Sequence, residues 1–291
     1  MTAATHRLFD ATTLRRRRQR ARHGTIADFL LVYAAKEFAD RLSLILRPFI
    51  SVAEVGSLGT QLQRALSRDN LVRIGPMEAN PDTIAHDDLL PLRSESTDLI
   101  LSSLTFQFVD DLPGLLVQIR KALRADGLML AAMLGGHTLN ELRIAFAQAE
   151  GEIVGGISPR VIPFVDVRDA GGLLQRAGFA LPVADSDTLT VRYDNVFALM
   201  ADLRAMAGTN ILIERIRRPT RRSVMVRMAE IYAERFSDPD GRIRATFEII
   251  WMSGWAPHES QQKPLRPGSA KARLADALGT SERKIGGRTN Y

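Results

Sequence analysis

The chain of 291 residues has 39 basic and 33 acidic side chains, five histidines and no cysteine. A chain of this length can bury a core without disulfides, and the lack of cysteine excludes a disulfide scaffold, a cysteine nucleophile and cysteine-ligated zinc or iron–sulfur sites. The net charge of +6 lies in residues 1–24, which carry seven arginines and one acid, so the other residues balance at 32 basic to 32 acidic. The sequence therefore predicts a neutral body with a basic N-terminal arm.

The N-terminal arm also bears on the compartment. It lacks the apolar stretch and the small-residue cleavage site of a secretory signal. The longest apolar run, near residues 128–134, is far shorter than the ~20 residues of a membrane-spanning helix. We expect a cytoplasmic protein. The alternative is the mitochondrial matrix, because an arginine-rich start that contains serine or threonine is also typical of a transit peptide.

The first half of the chain alternates between strand and helix patterns. Apolar residues at a period of about 3.6 predict an amphipathic helix over 26–47, ended by Pro48. Nearly continuous apolar runs predict strands buried on both faces, which is typical of a doubly wound α/β sheet. The predicted strands are 51–55, 71–75, 97–103 and 127–134, and the predicted helices between them are 60–67 and 112–124, the second opened by Asp110 and Asp111.

The second half predicts fewer strands and longer helices. It also sets the domain organisation: an arm and helix at 1–47, an α/β domain at 48–256 with a helical insertion at about 194–240, and a mobile tail at 257–291. The predicted elements are helices 138–150, 166–177, 195–206 and 221–236, a glycine-rich loop at 151–156, a left-handed cap at Gly178, helix N-caps at Asp194 and Thr220, and strands 181–193 and 245–252.

A glycine-containing turn, Glu54–Thr60, lies directly after a predicted strand and before a predicted helix. In open α/β sheets, ligands bind outside the carboxyl ends of the strands, where glycine lets the backbone approach a phosphate or nucleotide. The two glycines, Gly56 and Gly59, match a dinucleotide fingerprint weakly. The alternative is a tight turn that binds no ligand and holds both glycines at positive φ.

Other candidate groups are sparser. Asp87 and Asp88 could accept hydrogen bonds from an adenine amine or a ribose, or could belong to a solvated loop. His258 and Glu259, close behind two tryptophans, could form an acid–base and stacking cluster or simply a tryptophan-anchored chain end. The five histidines have no i, i+4 pairing with a carboxylate, so we expect no metal site. The sequence has neither a nucleophile elbow nor a P-loop, which counts against a hydrolase and an NTPase of those types.

Two arginine runs, Arg15–Arg22 and Arg215–Arg222, could neutralise phosphates. Neither run is interleaved with aromatic residues, and the body is neutral. We therefore favour a solvated arm, or one that docks on an acidic partner, over a nucleic-acid interface. The stretch 78–111 has eight acids and one arginine, so docking of the arm within the chain is a further alternative.

Several segments together resemble class I S-adenosylmethionine (SAM)-dependent methyltransferases. The resemblance begins with the strand–GxxG–helix order, and it continues in PLRSESTDLILSSLTFQFVDDLP at 91–113 and LRADGLMLAAMLGGHTLNELR at 123–143. Three more segments are similar to the branch that holds malonyl-carrier-protein methyltransferase and the methyltransferase-like assembly factor 5 of respiratory complex I, and they favour the assembly factor. These are FDATTLRRRRQRA near the start, SPRVIPFVDVRDAGGLLQRAGF at 158–179 and GWAPHESQQKPLRPGSA at 254–270.

The resemblance implies a seven-stranded Rossmann-like sheet with a β-hairpin at one edge, and SAM lying over the first two strands beneath a helical insertion. The residues it implies for cofactor binding are Glu54, Gly56, Ser57, Gly59, Gly75, His86, Asp87, Ser102, Ser103, Leu104 and Gln107. The chain departs from the family pattern at four of the matching positions. Leu58 and Thr60 replace glycines, and Gly75 and His86 replace the acids expected for the ribose and the adenine.

Two functions follow from this resemblance. The first is a SAM-dependent methyltransferase that acts on a protein or a small carboxylate acceptor, with no fixed catalytic triad because methyl transfer needs mainly in-line positioning. The second is a diverged assembly factor for respiratory complex I that modifies an arginine or holds a partner subunit. The residues we expect on the substrate side are His137, Glu141, Arg143, Trp255, His258 and Glu259.

Overall fold

The structure, a computed structural model, describes residues 7–23, 27–56, 58–76, 81–84, 89–262 and 279. The chain divides into two compact units, 1–257 and 258–291. The predicted mobile tail lies mostly outside the described residues and stays a prediction. Within the second unit, the Nδ1 atom of His258 lies 2.7 Å from the hydroxyl of Ser260.

A seven-stranded sheet runs through the first unit in the order β3-β2-β1-β4-β5-β7-β6. The first five strands are parallel, whereas β7 is antiparallel to both β5 and β6. The predicted α/β class, with seven strands and an antiparallel pair at one edge, is therefore confirmed. The strands are β1 (Val52–Val55), β2 (Val72–Gly75), β3 (Thr83–Ile84), β4 (Thr97–Ser103), β5 (Leu123–Leu134), β6 (Ala180–Tyr193) and β7 (Ile243–Trp255).

Helices cover both faces of the sheet, and each face holds its own core. Leu30, Leu142 and Tyr232 pack on one face, and Leu116 and Leu174 pack on the other. This arrangement buries all seven residues of the central strand β4. The helices are α1 (Ala11–Arg22), α2 (Phe29–Ser43), α3 (Gln61–Leu66), α4 (Leu112–Ala122), α5 (Asn140–Val154), α6 (Val167–Arg176), α7 (Val196–Ala205) and α8 (Arg222–Phe236), with a short 3-10 helix at Phe106–Phe108.

Several predicted boundaries need correction. Helix α5 continues to Val154, so most of the predicted glycine-rich loop is helical; a Cβ at Gly151 would meet no atom within 4 Å. The cap of α7 is Asn195 rather than Asp194, because the Asn195 side chain accepts from two backbone N–H groups at 3.0 Å. The residue before α8 is Arg221, and the hydroxyl of Thr220 instead accepts from Arg160 at 2.9 Å.

The prediction of a solvated N-terminal arm is wrong for residues 7–23. Phe9 and Leu14 are buried in a small core with Ile162, Ile211 and Leu212. The N–H of Asp10 donates to the carbonyl of Ile211 at 2.8 Å. Apolar contacts and backbone hydrogen bonds, which arginine counts do not reveal, therefore attach α1 to the body.

The arm docks onto the acidic stretch through backbone groups of Leu8 and Phe9. The carboxylate of Asp110 accepts from the backbone N–H groups of Leu8 and Phe9, at 2.9 and 3.1 Å. None of the helices in the described ranges has the length and apolar character that a membrane span requires.

Candidate functional site

The turn after β1 requires glycine at its first position. Gly56 has φ of +75°, and its N–H donates to the carbonyl of Ile74 at 2.8 Å. A Cβ on Gly56 would lie 2.3 Å from Oγ1 of Thr105, so this backbone sits directly against the loop that follows β4. Positive φ is confirmed for Gly56 and is wrong for Gly59, where an added Cβ would meet only the flexible side chain of Gln61.

The β1–β2 side of the site departs from the family pattern in the structure as well. Leu58 lines a cavity where the family has glycine, and Gly75 is the last residue of β2 and has no side chain to bind a ribose. The Arg73 side chain donates to the carbonyl of Gly59 at 3.1 Å. Glu54 is buried within β1. Three of the predicted cofactor residues, Ser57, His86 and Asp87, lie outside the described residues, as does Asp88.

The loop after β4 brings several predicted residues together. The hydroxyls of Ser102 and Thr105 lie 3.0 Å apart, and the amide Nε2 of Gln107 donates to the carbonyl of Leu104 at 2.7 Å. Gln107 is 6% exposed, and in the described part of the chain no donor reaches its Oε1 atom. The same holds for the hydroxyl of Ser103. Buried polar atoms are nearly always satisfied, so a free acceptor at a cavity indicates a missing donor.

A cavity of about 250 Å³ lies at the carboxyl ends of β4 and β5. Its walls are mostly apolar, and its described polar groups include the Gln107 amide and two guanidinium groups. Three of its residues, Leu104, Leu139 and Ala207, have φ between +52° and +57°, a region that costs free energy for residues with a side chain. Such strain clusters at functional sites, which marks this cavity as the candidate site.

Helix α1 covers the cavity, a role for the N-terminal arm that the sequence did not predict. Leu14, Arg18 and Ala21 line it, and the Arg18 guanidinium lies 5.9 Å from the centre of the Phe108 ring. Arg18 is 8% exposed despite its charge. These three residues are four and three positions apart, a spacing that predicts one face of a helix. The arginines at the surrounding positions obscured this pattern in the sequence.

His137 is an exposed member of the predicted substrate-side residues. It lies in the loop after β5 with its side chain 73% exposed, and its Nδ1 atom is 3.2 Å from the carboxylate of Glu248, which is buried. The same carboxylate accepts from the His137 backbone N–H at 2.8 Å. The buried Glu248 carboxylate therefore fixes the position of His137 through both its backbone and its side chain.

The other predicted substrate-side residues have different positions. Glu141 accepts from the N–H of Thr246 at 3.2 Å and so ties α5 to β7. Arg143 reaches the carbonyl of Gly136 at 3.4 Å. Trp255 pairs with Leu128, six residues before the carboxyl end of β5 at Leu134, and it does not line the cavity. We therefore remove Trp255 from the candidate site. His258 and Glu259 belong to the second unit.

Known proteins share this sequence pattern. A family described as "Methyltransferase domain" matches residues 60–131. The "Arginine-hydroxylase NDUFAF5, mitochondrial" of Danio rerio is 35% identical over 263 residues, which are 86% of this chain and 82% of that protein. The malonyl-(acyl-carrier protein) O-methyltransferase of Xylella fastidiosa is 38% identical over 180 residues, which are 61% of this chain and 59% of that protein.

Among solved structures, the YcgJ protein of Bacillus subtilis is similar with a TM-score of 0.49 and 11% identity, over 78% of this chain and 99% of that chain.

Proposed function

We propose that this chain, which belongs to the methyltransferase-fold family of the arginine-hydroxylase NDUFAF5, is a SAM-dependent methyltransferase. The cofactor would lie at the carboxyl ends of β1 and β4, with its amino-acid end in the apolar cavity. The acceptor would be a protein side chain or a small carboxylate. The family match and the sheet topology support this assignment at the level of the family.

The observation that carries the proposal is the Oε1 atom of Gln107, which no donor in the described ranges reaches. A buried acceptor without a donor costs about 1–3 kcal/mol, and a cationic ammonium group would satisfy it. The amino-acid end of SAM carries such an ammonium. Residue 56 is a glycine because a Cβ there would collide with Thr105. No side chain therefore covers the backbone of the β1 turn, and the same ligand can contact it closely.

SAM supplies, when bound, a methyl group on a positively charged sulfur. The chain itself contributes position and exclusion of water. The strained backbone at Leu104 and Leu139 and the cover of α1 form a mostly apolar cavity in which an acceptor is held in line. The two departures on the β1–β2 side, Leu58 and Gly75, predict weaker binding than a full set of glycines and a ribose acid would give.

Calorimetric titration of SAM into the full chain tests this function. We expect micromolar binding that Gly56→Val abolishes, because the valine side chain would collide with Thr105. Gly151→Val is the matched control, since its side chain enters open space on α5. Binding that is absent or millimolar in the unaltered chain would contradict the proposal, as would equal losses in the two variants.

A second candidate function is arginine modification during assembly of respiratory complex I. The observation that favours it is coverage: the relative named as an arginine-hydroxylase matches 86% of this chain, against 61% for the O-methyltransferase. Mass spectrometry of a candidate acceptor separates the two functions. An increase in mass by one methyl group on a carboxylate supports the first function, and an increase in mass by one oxygen atom on an arginine supports the second.

We also propose a cytoplasmic location, with the mitochondrial matrix as the alternative. The word "mitochondrial" in the name of the Danio rerio relative supports the alternative. Fluorescence microscopy of the tagged chain beside a matrix marker distinguishes the two compartments.

A further inference from the structure

The two arginine runs of the sequence meet in a second cavity. Its volume is about 620 Å³, and it lies between α1, α7, the loop after α5 and the segment 208–220. The arginines that line it come from separate parts of the chain: Arg17, Arg20, Arg160, Arg204, Arg215 and Arg217. None of the described residues that line it is acidic.

The positive charge of this cavity is only partly compensated. Arg160 pairs with the buried Glu150, and Arg215 pairs with Asp10 at 2.9 Å. Within the described ranges, no carboxylate lies within 4 Å of Arg20, Arg204 or Arg217. Crowding of like charges without a counter-ion leaves a local positive field that attracts an anion.

Arg17 reflects the same field. Burial, and then the charges of Arg215 and Arg20, lower the pKa of its guanidinium from the usual value, although Asp10 opposes them. Its side chain is held by the carbonyl of Asn210 rather than by a carboxylate. A guanidinium held in this way is ready to bind an incoming acid without first breaking an ion pair.

The floor of the basic cavity is apolar, and the two cavities share lining residues. Leu142, Phe146, Met200 and Met225 form much of it. The residues that line both cavities are Leu139, Ile162, Phe164, Leu203 and Gly208. A ligand seated among the arginines is therefore next to the site proposed for methyl transfer.

We propose that the basic cavity binds an acidic, amphipathic segment of a protein acceptor. Several carboxylates would pair with arginines on separate elements, and apolar side chains would contact the floor. A lone phosphate group would use neither the spread of the arginines nor the methionine and phenylalanine floor. This inference rests on the proposed function, because it identifies the cavity as the docking site of the acceptor.

The same field disfavours a bare arginine as acceptor. A target guanidinium would be repelled by Arg17, Arg20 and Arg204 unless acids flank it in the sequence. The basic cavity therefore restricts both candidate functions to acceptor segments with a net negative charge.

Fluorescence anisotropy with a labelled peptide of alternating glutamate and leucine tests the docking site. The full chain carrying Arg20→Glu, Arg204→Glu and Arg217→Glu should bind at least about tenfold more weakly than the unaltered chain. The control carries Arg16→Glu, Arg93→Glu and Arg176→Glu, three exposed arginines outside the cavity, and has the same net charge. It should bind within about twofold of the unaltered chain. Equal melting temperatures of the two variants exclude unfolding as the cause.

Two further measurements decide what the cavity recognises. A glutamine–leucine peptide of the same length should bind poorly; if it binds as well as the glutamate peptide, the proposal is overturned. The proposal is also overturned if tripolyphosphate binds at the cavity more tightly than the peptide does, or if the control variant loses as much affinity as the cavity variant.

The peptide titration contains no SAM. If the peptide fails to bind but SAM binds normally, only the proposed docking site is contradicted. If the peptide binds normally but SAM does not bind, only the proposed function is contradicted.

Discussion

The two halves of the carboxyl edge of the sheet differ in construction. On the β4–β5 side, strands of seven and 12 residues end at a cavity with strained backbone and a buried acceptor that no donor in the described ranges reaches. On the β1–β2 side, the two strands have four residues each, β1 is followed by Gly56, β2 ends at Gly75, and Leu58 lies where the family pattern has a glycine. The half that would hold the methionine end and the acceptor is therefore well formed, and the half that would hold the ribose lacks its usual side chain at Gly75.

This difference between the two sides indicates which residues contribute most of the binding energy of the site. Residues on long buried strands are positioned by packing, so the β4 loop keeps its geometry even without a ligand. The β1–β2 side depends on single side chains in loops, and each substitution there removes a contact. We expect a ligand to be held mainly by the β4–β5 side, and the following variants test this expectation.

The largest expected effect comes from the cover of the β4–β5 side. Leu14→Ala should lower the free energy of unfolding by about 3 kcal/mol, because Leu14 is 2% exposed and its loss leaves a void beside the cavity. Urea denaturation measures the change. Leu8→Ala, at a position 43% exposed, should cost less than about 1 kcal/mol. Similar small losses in both variants would mean that α1 is not packed.

The second effect is on the acceptor atom of the cavity. Gln107→Met should weaken SAM binding by about 1.5–3 kcal/mol, roughly tenfold or more, because a hydrogen bond to a charged group is lost. The unfolding free energy should change by only about 1 kcal/mol, because the Nε2 hydrogen bond to the Leu104 carbonyl is lost but no donor in the described ranges bonds to Oε1. Calorimetry measures the binding, with Gln175→Met on the exposed face of α6 as the control. Unchanged SAM affinity would remove Gln107 from the site.

The third variant repairs the β1–β2 side. Leu58→Gly should raise the affinity for SAM several-fold, about 1 kcal/mol, because it removes an isobutyl group from the cavity wall. Thr60→Gly should have little effect, because Thr60 makes no side-chain capping bond and does not line the cavity. A gain from Thr60→Gly and none from Leu58→Gly would place the obstruction elsewhere in the turn.

The smallest effect concerns the pH dependence of the α1 cap. Hydrogen bonds from Thr13, together with Arg215, hold the pKa of Asp10 at about 2 instead of 3.8. A lowered pKa stabilises the fold fully above the unfolded value and less as the pH falls from 3.8 towards 2. An asparagine oxygen can still accept from the Thr13 N–H, so Asp10→Asn should lose only part of the roughly 2 kcal/mol that this shift represents: about 1 kcal/mol at neutral pH and almost nothing near pH 2. A cost that does not depend on pH would contradict the ionic role of Asp10.

The sequence was sufficient where local pattern and burial agree. The apolar run 97–103 coincides with β4, and Asp111 caps α4 by accepting from Gly114 at 2.9 Å. It was insufficient where distant segments decide the outcome. The packing of α1 depends on Ile162 and Ile211, and no local period shows these partners. The convergence of the two arginine runs is likewise a property of the tertiary fold.

The candidate site was predictable only in part for the same reason. The requirement for glycine at 56 arises from Thr105, which lies 49 residues further along the chain. The loop at 102–107 was placed by family resemblance, and its free Gln107 acceptor appears only once the surrounding hydrogen bonds are known. The distance of Trp255 from the cavity follows from the antiparallel pairing of β7 with β5, which its own residues do not reveal.

A crystal structure of the full chain with S-adenosylhomocysteine tests the central claim most directly. We predict electron density for the ligand over Gly56, with its ammonium within hydrogen-bond distance of the Oε1 atom of Gln107. Density for the ligand elsewhere, or a cavity that stays empty of ligand at saturating concentration, would contradict the assignment of this site to SAM.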